Sequence, residues 1–262
     1  MAIGQAIFGR YGLMGGFLVA LALTGLVFSY AELRLSKAFA SRQLEGQDPW
    51  GVLNKLSALA RKTGSARPRA YVFECASPAA FSTGVGHWDS AVFISRALLN
   101  EFSPAELEAV LAHETLRHAR HDCARLTLAA ALSSGFAAFG RAIDIPFAPL
   151  RSSAMRDSNQ GLRPGSVLVA PIIWAIFAPH DRAQRCFERD HETAGVTGDP
   201  RALAKVLWKM KNYGATRPFR APLSAASLFL VNPLTQMRWY RYFIGQPTAE
   251  MRIKKLLGHC PP

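Results

Sequence analysis

Between Arg10 and Glu32 the chain runs for 21 residues without a charge, from Tyr11 to Ala31. As an α-helix rising 1.5 Å per residue, such a run spans about 30 Å, the thickness of a bilayer's hydrocarbon core. It predicts an N-terminal membrane anchor over residues 1–42, and therefore a remaining domain able to work beside a lipid surface. A cleaved signal peptide competes, because Ala38-Phe39-Ala40 has the small-x-small form, although Glu32, Arg34 and Lys37 stand between it and the apolar run. Arg34, Lys37 and Arg42 follow the run and only Arg10 precedes it, so the positive-inside rule places the bulk of the chain in the cytoplasm.

The charge balance agrees with a membrane partner. Lys and Arg total 31 against 18 Asp and Glu, a formal net charge of +13, which suits nucleic acid or an anionic membrane surface. The basic residues are scattered among long apolar stretches, with no dense basic arm and no zinc-finger spacing, so membrane lipid is the expected partner and nucleic acid is disfavoured. Half of the 262 residues are hydrophobic, enough to bury a real core and to exclude disorder. Cys75, Cys123, Cys186 and Cys260 lie far apart with no CxxC pair, which excludes a dense disulfide framework and predicts reduced thiols.

Residues 43–262 read as one domain interrupted by two further apolar stretches, 126–140 and 165–179, each 15 residues long and too short for a confident span. Arg141, Arg151, Arg156 and Arg163 lie between them and resist translocation, so shallow insertion, a tilted hairpin and core helices all remain open. The segments RAYVFE and AVFIS, between Pro68 and Ser95, predict a small sheet. Ser103-Pro104-Ala105-Glu106 is a capping box that opens a helix, and Leu107, Val110 and Leu111 continue its apolar face toward His113. Gly198-Asp199-Pro200 starts another helix, with Leu203, Val206, Leu207 and Met210 on one core stripe.

The segment LEAVLAHETLRHARHD, Leu107 to Asp122, carries a His-Glu pair on the first of these helices. Here the chain resembles the membrane-bound zinc peptidases of the HtpX and CAAX-prenyl-protease type, and the peptidase domains of β-lactam-sensing receptors. PAAFSTG, AVFISRALL, TGDPRALAKVL, FLVNP and QPTAEMRIKKL, in that order, extend the resemblance over most of the chain. It implies an α+β, mostly helical gluzincin metallopeptidase-like domain with a small β-sheet and a transmembrane helix, at a bacterial-type inner membrane. It also implies a zinc cofactor, a protein or peptide substrate, His113 as first metal ligand and Glu114 as general base. Asp190 and Asp122 then support the site by hydrogen bonds. The strand Ala91, Val92, Phe93, Ile94 and Ser95 is the expected edge that pairs with a substrate.

Two ligand positions depart from the pattern. The second ligand should follow His113 by four residues, where Arg117 stands, and the third, a Glu four residues before Asp190, is Cys186. Thiolate is a good zinc ligand. His118 is one place late: four residues along a helix lie about 40° from the same face, but five lie about 140° away. His118 serves as a ligand only if the helix is distorted by a π-bulge; otherwise it belongs with Arg117, Arg120 and His121 to a solvated basic face. Glu188 points away from Cys186 and is a poor substitute.

Three functions follow. One is a membrane-anchored zinc endopeptidase acting on membrane or misfolded proteins. Another is a pseudopeptidase, in which Arg117 replaces the metal's charge by pairing with Glu114 or a Cys186 thiolate, and the groove binds a membrane-protein segment without cutting it. The third is a basic scaffold at the membrane surface.

Overall fold

The computed structural model describes residues 39–46, 48–84, 90–120, 122–123, 126–127, 182–217, 228–231 and 246–258, with Tyr11 and Lys37. The run expected as an anchor and the apolar stretches 126–140 and 165–179 fall almost entirely outside them. Among the described residues no helix is long and apolar enough to cross a membrane.

Among the described residues, four strands form one sheet. β1 (Arg42–Gln43), β2 (Arg69–Phe73), β3 (Ala80–Gly84) and β4 (Ser90–Ser95) lie in the order β1-β2-β4-β3. β4 runs parallel to β2 and antiparallel to β3. The expected substrate edge, Ala91 to Ser95, is therefore the interior strand β4, hydrogen-bonded on both sides, and this corrects the sequence expectation. Its composition gives the physical reason. All six residues of β4 are buried, with Val92 and Ile94 facing the helical core and Ala91 and Phe93 facing an aromatic cluster on the other side. A strand apolar on both faces belongs inside a covered sheet. The Phe93 ring stacks on Phe81 at 4.6 Å and on Tyr71 at 4.8 Å, tying the three long strands across the second face. The outer edge of this side of the sheet is β3.

Helix α1 (Val52–Thr63) covers the first face with Val52, Leu56, Leu59 and Ala60, the i, i+4, i+7, i+8 spacing of one helical stripe. The Asp48 carboxylate accepts from the Leu53 amide at 2.6 Å, and Gly64, at φ 66°, ends the helix in the left-handed conformation that only glycine takes without strain. A short α2 (Arg96–Glu101) leads from β4 into α3 (Pro104–Ala119). The capping box opens α3 as expected: Ser103 Oγ accepts from the Glu106 amide, and Glu106 Oε2 accepts from the Ser103 amide. From Leu107 to His118 only Glu108 is not buried, because β3, α1, α4 (Arg182–Thr197) and α5 (Pro200–Thr216) surround this helix. Asp199 caps α5 by accepting from the amides of Arg201 and Ala202, and Leu203, Val206, Leu207 and Met210 are buried. Helix α6 (Ala249–Leu257), capped by Thr248, packs on α4 and α5 and carries Arg252 into the interior.

Candidate active site with an internal guanidinium

Helix α3 is continuous through His113, Glu114, Arg117 and His118, with no π-bulge. Without that distortion His118 cannot share a site with His113. Nor does it lie on a solvated face: it is 1% exposed, and Arg117 is 2% exposed, which corrects the expectation for both. The capping chemistry and apolar face of α3 pull the whole helix into the core, and its basic last turn goes with it. Burial, with Arg117 adding to it, holds the His118 imidazole down to about 3, so the ring is neutral, and among the described residues neither of its nitrogens has a hydrogen-bond partner. Arg120 is the part of that turn that reaches the surface, pairing with Glu192 and approaching Glu188 of α4. His121 lies outside the described residues.

Arg117, at the position where the resemblance implies a second ligand, is a buried cation. Its Nη1 donates to Glu114 Oε2 at 3.0 Å and to the carbonyl oxygen of Leu228 at 2.5 Å. Burial by itself would lower the guanidinium's pKa, but the neighbouring Glu114 carboxylate overrides it and the net shift is upward, so the charge stays. Glu114 is 0% exposed, and its Oε2 also accepts a 2.5 Å hydrogen bond from the Ser82 hydroxyl of β3. The carboxylate expected to act on water is thus held between a hydroxyl and a guanidinium. Among the described residues, Glu114 Oε1 and Arg117 Nε are buried without a hydrogen-bond partner.

His113 faces α4. Its Nδ1 lies 3.4 Å from Asp190 Oδ1 and 3.4 Å from Thr193 Oγ1. Thr193 gives its own proton to the Arg189 carbonyl at 2.7 Å, so toward His113 it must accept, and Nδ1 carries the imidazole proton. Burial, followed by the charges of Arg252, Arg189 and Arg117, drives the His113 pKa well below 6.5 and keeps the ring neutral. Asp190 is gripped by Arg252, with Nε to Oδ2 at 2.7 Å and Nη2 to Oδ1 at 2.5 Å, while Arg252 Nη1 donates to the Leu230 carbonyl at 2.7 Å. Asp122 lies 3.5 Å from Arg189 Nη2. Glu188 is exposed, and Cys123, fully buried, has its thiol pushed up to about 12 by that burial.

His113, Arg117, Cys186, Arg189, Gln246 and Arg252 line a single cavity of about 30 Å³. The structure therefore brings His113, Arg117 and Cys186 together and leaves His118 out. The residues do not fit zinc: three of the side chains lining the cavity, Arg117, Arg189 and Arg252, are cationic, and their charges oppose a dication in a buried site. Among the described residues no group of three or more His, Cys, Asp or Glu is arranged to hold a metal ion.

The model of peptidase family M48 matches residues 51–258. The chain belongs to peptidase family M48. Relatives of this M48 chain include a protease HtpX homologue of Ralstonia pickettii (strain 12J), 29% identical over 261 residues that cover 98% of the chain and 90% of the relative. A second homologue, from Methylibium petroleiphilum, is 27% identical across 100% of the chain and 93% of its own length. A third, from Desulfatibacillum aliphaticivorans, is 28% identical across 100% and 85%. The fold is correspondingly mostly helical with a small sheet.

Sequence reasoning missed Ser82, Thr193, Arg189 and Arg252. Arg252 had a signal, lying within the QPTAEMRIKKL segment that carried the family resemblance. Ser82 had the same kind of signal, lying within PAAFSTG, whereas nothing local marks Thr193 and Arg189, whose roles exist only through partners far away in the chain.

Proposed function

We propose that this M48 chain is a membrane-anchored pseudopeptidase, which uses the peptidase groove to bind an extended segment of a membrane protein without hydrolysing it. The observation that supports this reading is the Arg117 guanidinium, set between the Glu114 carboxylate and a main-chain carbonyl. A fixed monovalent fork supplies a positive charge and hydrogen-bond donors, so it can hold a peptide carbonyl. It neither binds water as a Lewis acid nor frees Glu114 to take a proton. The same reading puts residues 11–31 across a bacterial-type inner membrane with the domain on the cytoplasmic side, and lipid against the basic surface.

The test is elemental analysis of the detergent-purified protein, paired with a Glu114→Gln variant assayed on an unfolded protein substrate. The expected result is no stoichiometric zinc and no Glu114-dependent cleavage. About one zinc per chain, with cleavage lost in the variant, would establish the endopeptidase reading instead. The double change Arg117→His with Cys186→Glu rebuilds a His-His-Glu donor set and should gain about one zinc per chain.

A further inference from the structure

We propose that residues 228–231, Leu-Phe-Leu-Val, form a strap that fills the peptide groove of this same chain, and that Arg117 is the residue that holds it there. The proposal rests on reading the groove as a peptide-binding site.

The strap lies on β3, the edge of the sheet that a substrate would extend. Phe229 bridges antiparallel to Phe81, and the Leu230 amide donates to the Ala80 carbonyl at 3.0 Å. Its three successive carbonyls are each met by a side chain from elsewhere. Leu228 accepts from Arg117 on α3 at 2.5 Å, and Leu230 accepts from Arg252 on α6 at 2.7 Å. Gln246 donates to Phe229 and Leu230 at 3.4 and 3.3 Å. Leu228, Phe229 and Leu230 are all buried, and the Phe229 ring lies 4.8 Å from Phe81.

Ordinary loop packing would secure such a segment through its side chains. Here the main chain is bound at every described carbonyl but the last and paired to a sheet edge, the mode by which proteins capture extended peptides. The main-chain contacts are blind to sequence, while Phe229 fills an aromatic pocket and Leu228 and Leu230 are buried on either side of it. The partner that fits is therefore an extended apolar peptide with an aromatic residue flanked by aliphatic ones. Such a partner must displace the strap, and Arg117 sets how readily it does so.

Phe81 and Phe229 face each other as a non-hydrogen-bonded antiparallel pair, the closest pairing in a sheet and one a disulfide can span. The full-length protein carrying Phe81→Cys and Phe229→Cys locks the strap when oxidised and releases it when reduced, with each single-cysteine variant as control. The probe is a fluorescein-labelled Ser-Leu-Phe-Leu-Val-Asn peptide, matching residues 227–232, followed by anisotropy. Binding at least tenfold weaker in the oxidised than in the reduced form is expected. Equal affinity in the two forms, or failure of the disulfide to form, overturns the strap. Hydrogen exchange at the β3 amides separates this outcome from failure of the peptide-binding reading. If no form binds the peptide, yet Arg117→Met speeds exchange at residues 80–84 tenfold and Arg117→Lys restores part of the protection, the strap stands and capture of a partner does not. Unchanged exchange in Arg117→Met overturns the strap.

Discussion

Arg117 and Arg252 line the same cavity, and their pairs with buried carboxylates are unequally made. Arg252 and Asp190 form a two-point fork whose remaining guanidinium nitrogen finds the Leu230 carbonyl. Arg117 and Glu114 meet through one hydrogen bond, and each retains a buried atom without a partner among the described residues. The first pair is a completed clamp joining α4 to α6. The second is met by the Ser82 hydroxyl, which donates to the same Glu114 oxygen. A cation there satisfies the charge of Glu114 but not all of its hydrogen-bonding capacity. The difference teaches that a buried charge can be neutralised by one substitution, whereas satisfying every polar atom around it takes several.

Breaking the clamp should have the largest effect. Arg252→Met leaves Asp190 buried beside a neutral imidazole and should lower stability by about 3–5 kcal/mol in urea unfolding, since removing one partner strands the other charge. Equal losses for Arg252→Met and Arg117→Met would erase the distinction between the two pairs. Arg117→Met should lose less, about 1–3 kcal/mol, because it strands a carboxylate that still accepts from Ser82. Adding Glu114→Gln to it should recover most of that loss, and no recovery would mean that Arg117 acts chiefly through the Leu228 carbonyl.

Acid provides a third test. His118 has an ordinary pKa of 6.5 and is held at about 3 in the folded chain. The unfolded chain therefore binds the proton more readily. The stability attached to the neutral ring is fully present above pH 6.5 and is lost as pH falls from there toward about 3, by up to about 1.4 kcal/mol per pH unit. His113, shifted in the same direction, adds to this loss below pH 6.5. Urea midpoints at pH 7 and pH 5 should differ accordingly, and His118→Leu should flatten the dependence. At pH 7 the smallest effect is expected: His118→Leu removes two unsatisfied buried nitrogens and should gain about 1 kcal/mol. A loss there would show that the ring has a polar role.

Much of the frame was legible in the chain because its signals are local. The Ser103 capping box, the Asp199-Pro200 helix start and the two short β-rich runs each lie within a few residues of what they specify. The departure at Arg117 was equally visible, because the spacing from His113 fixes which face of α3 it takes. The edge strand differs from the expectation because β3, Ala80–Gly84, carries Ser82, Thr83 and Gly84 and lacks the β-rich signal of β4, and its outer place depends on the crossover order β1-β2-β4-β3. His118 was misplaced because a run of basic residues looks solvated until the elements packed around α3 are known.

By itself, then, the sequence determined the β2 and β4 runs, the starts of α3 and α5, the helical facing of His113, Glu114 and Arg117, and the family kinship. Only the tertiary structure decided what those residues meet. It brought the Leu228 carbonyl to Arg117 across 111 positions and Asp190 to Arg252 across 62. Helical periodicity and capping act over one or two turns and leave their mark in neighbouring letters. A buried charge is satisfied by whatever the folded chain places within about 3 Å of it, and no local pattern records which residue that will be.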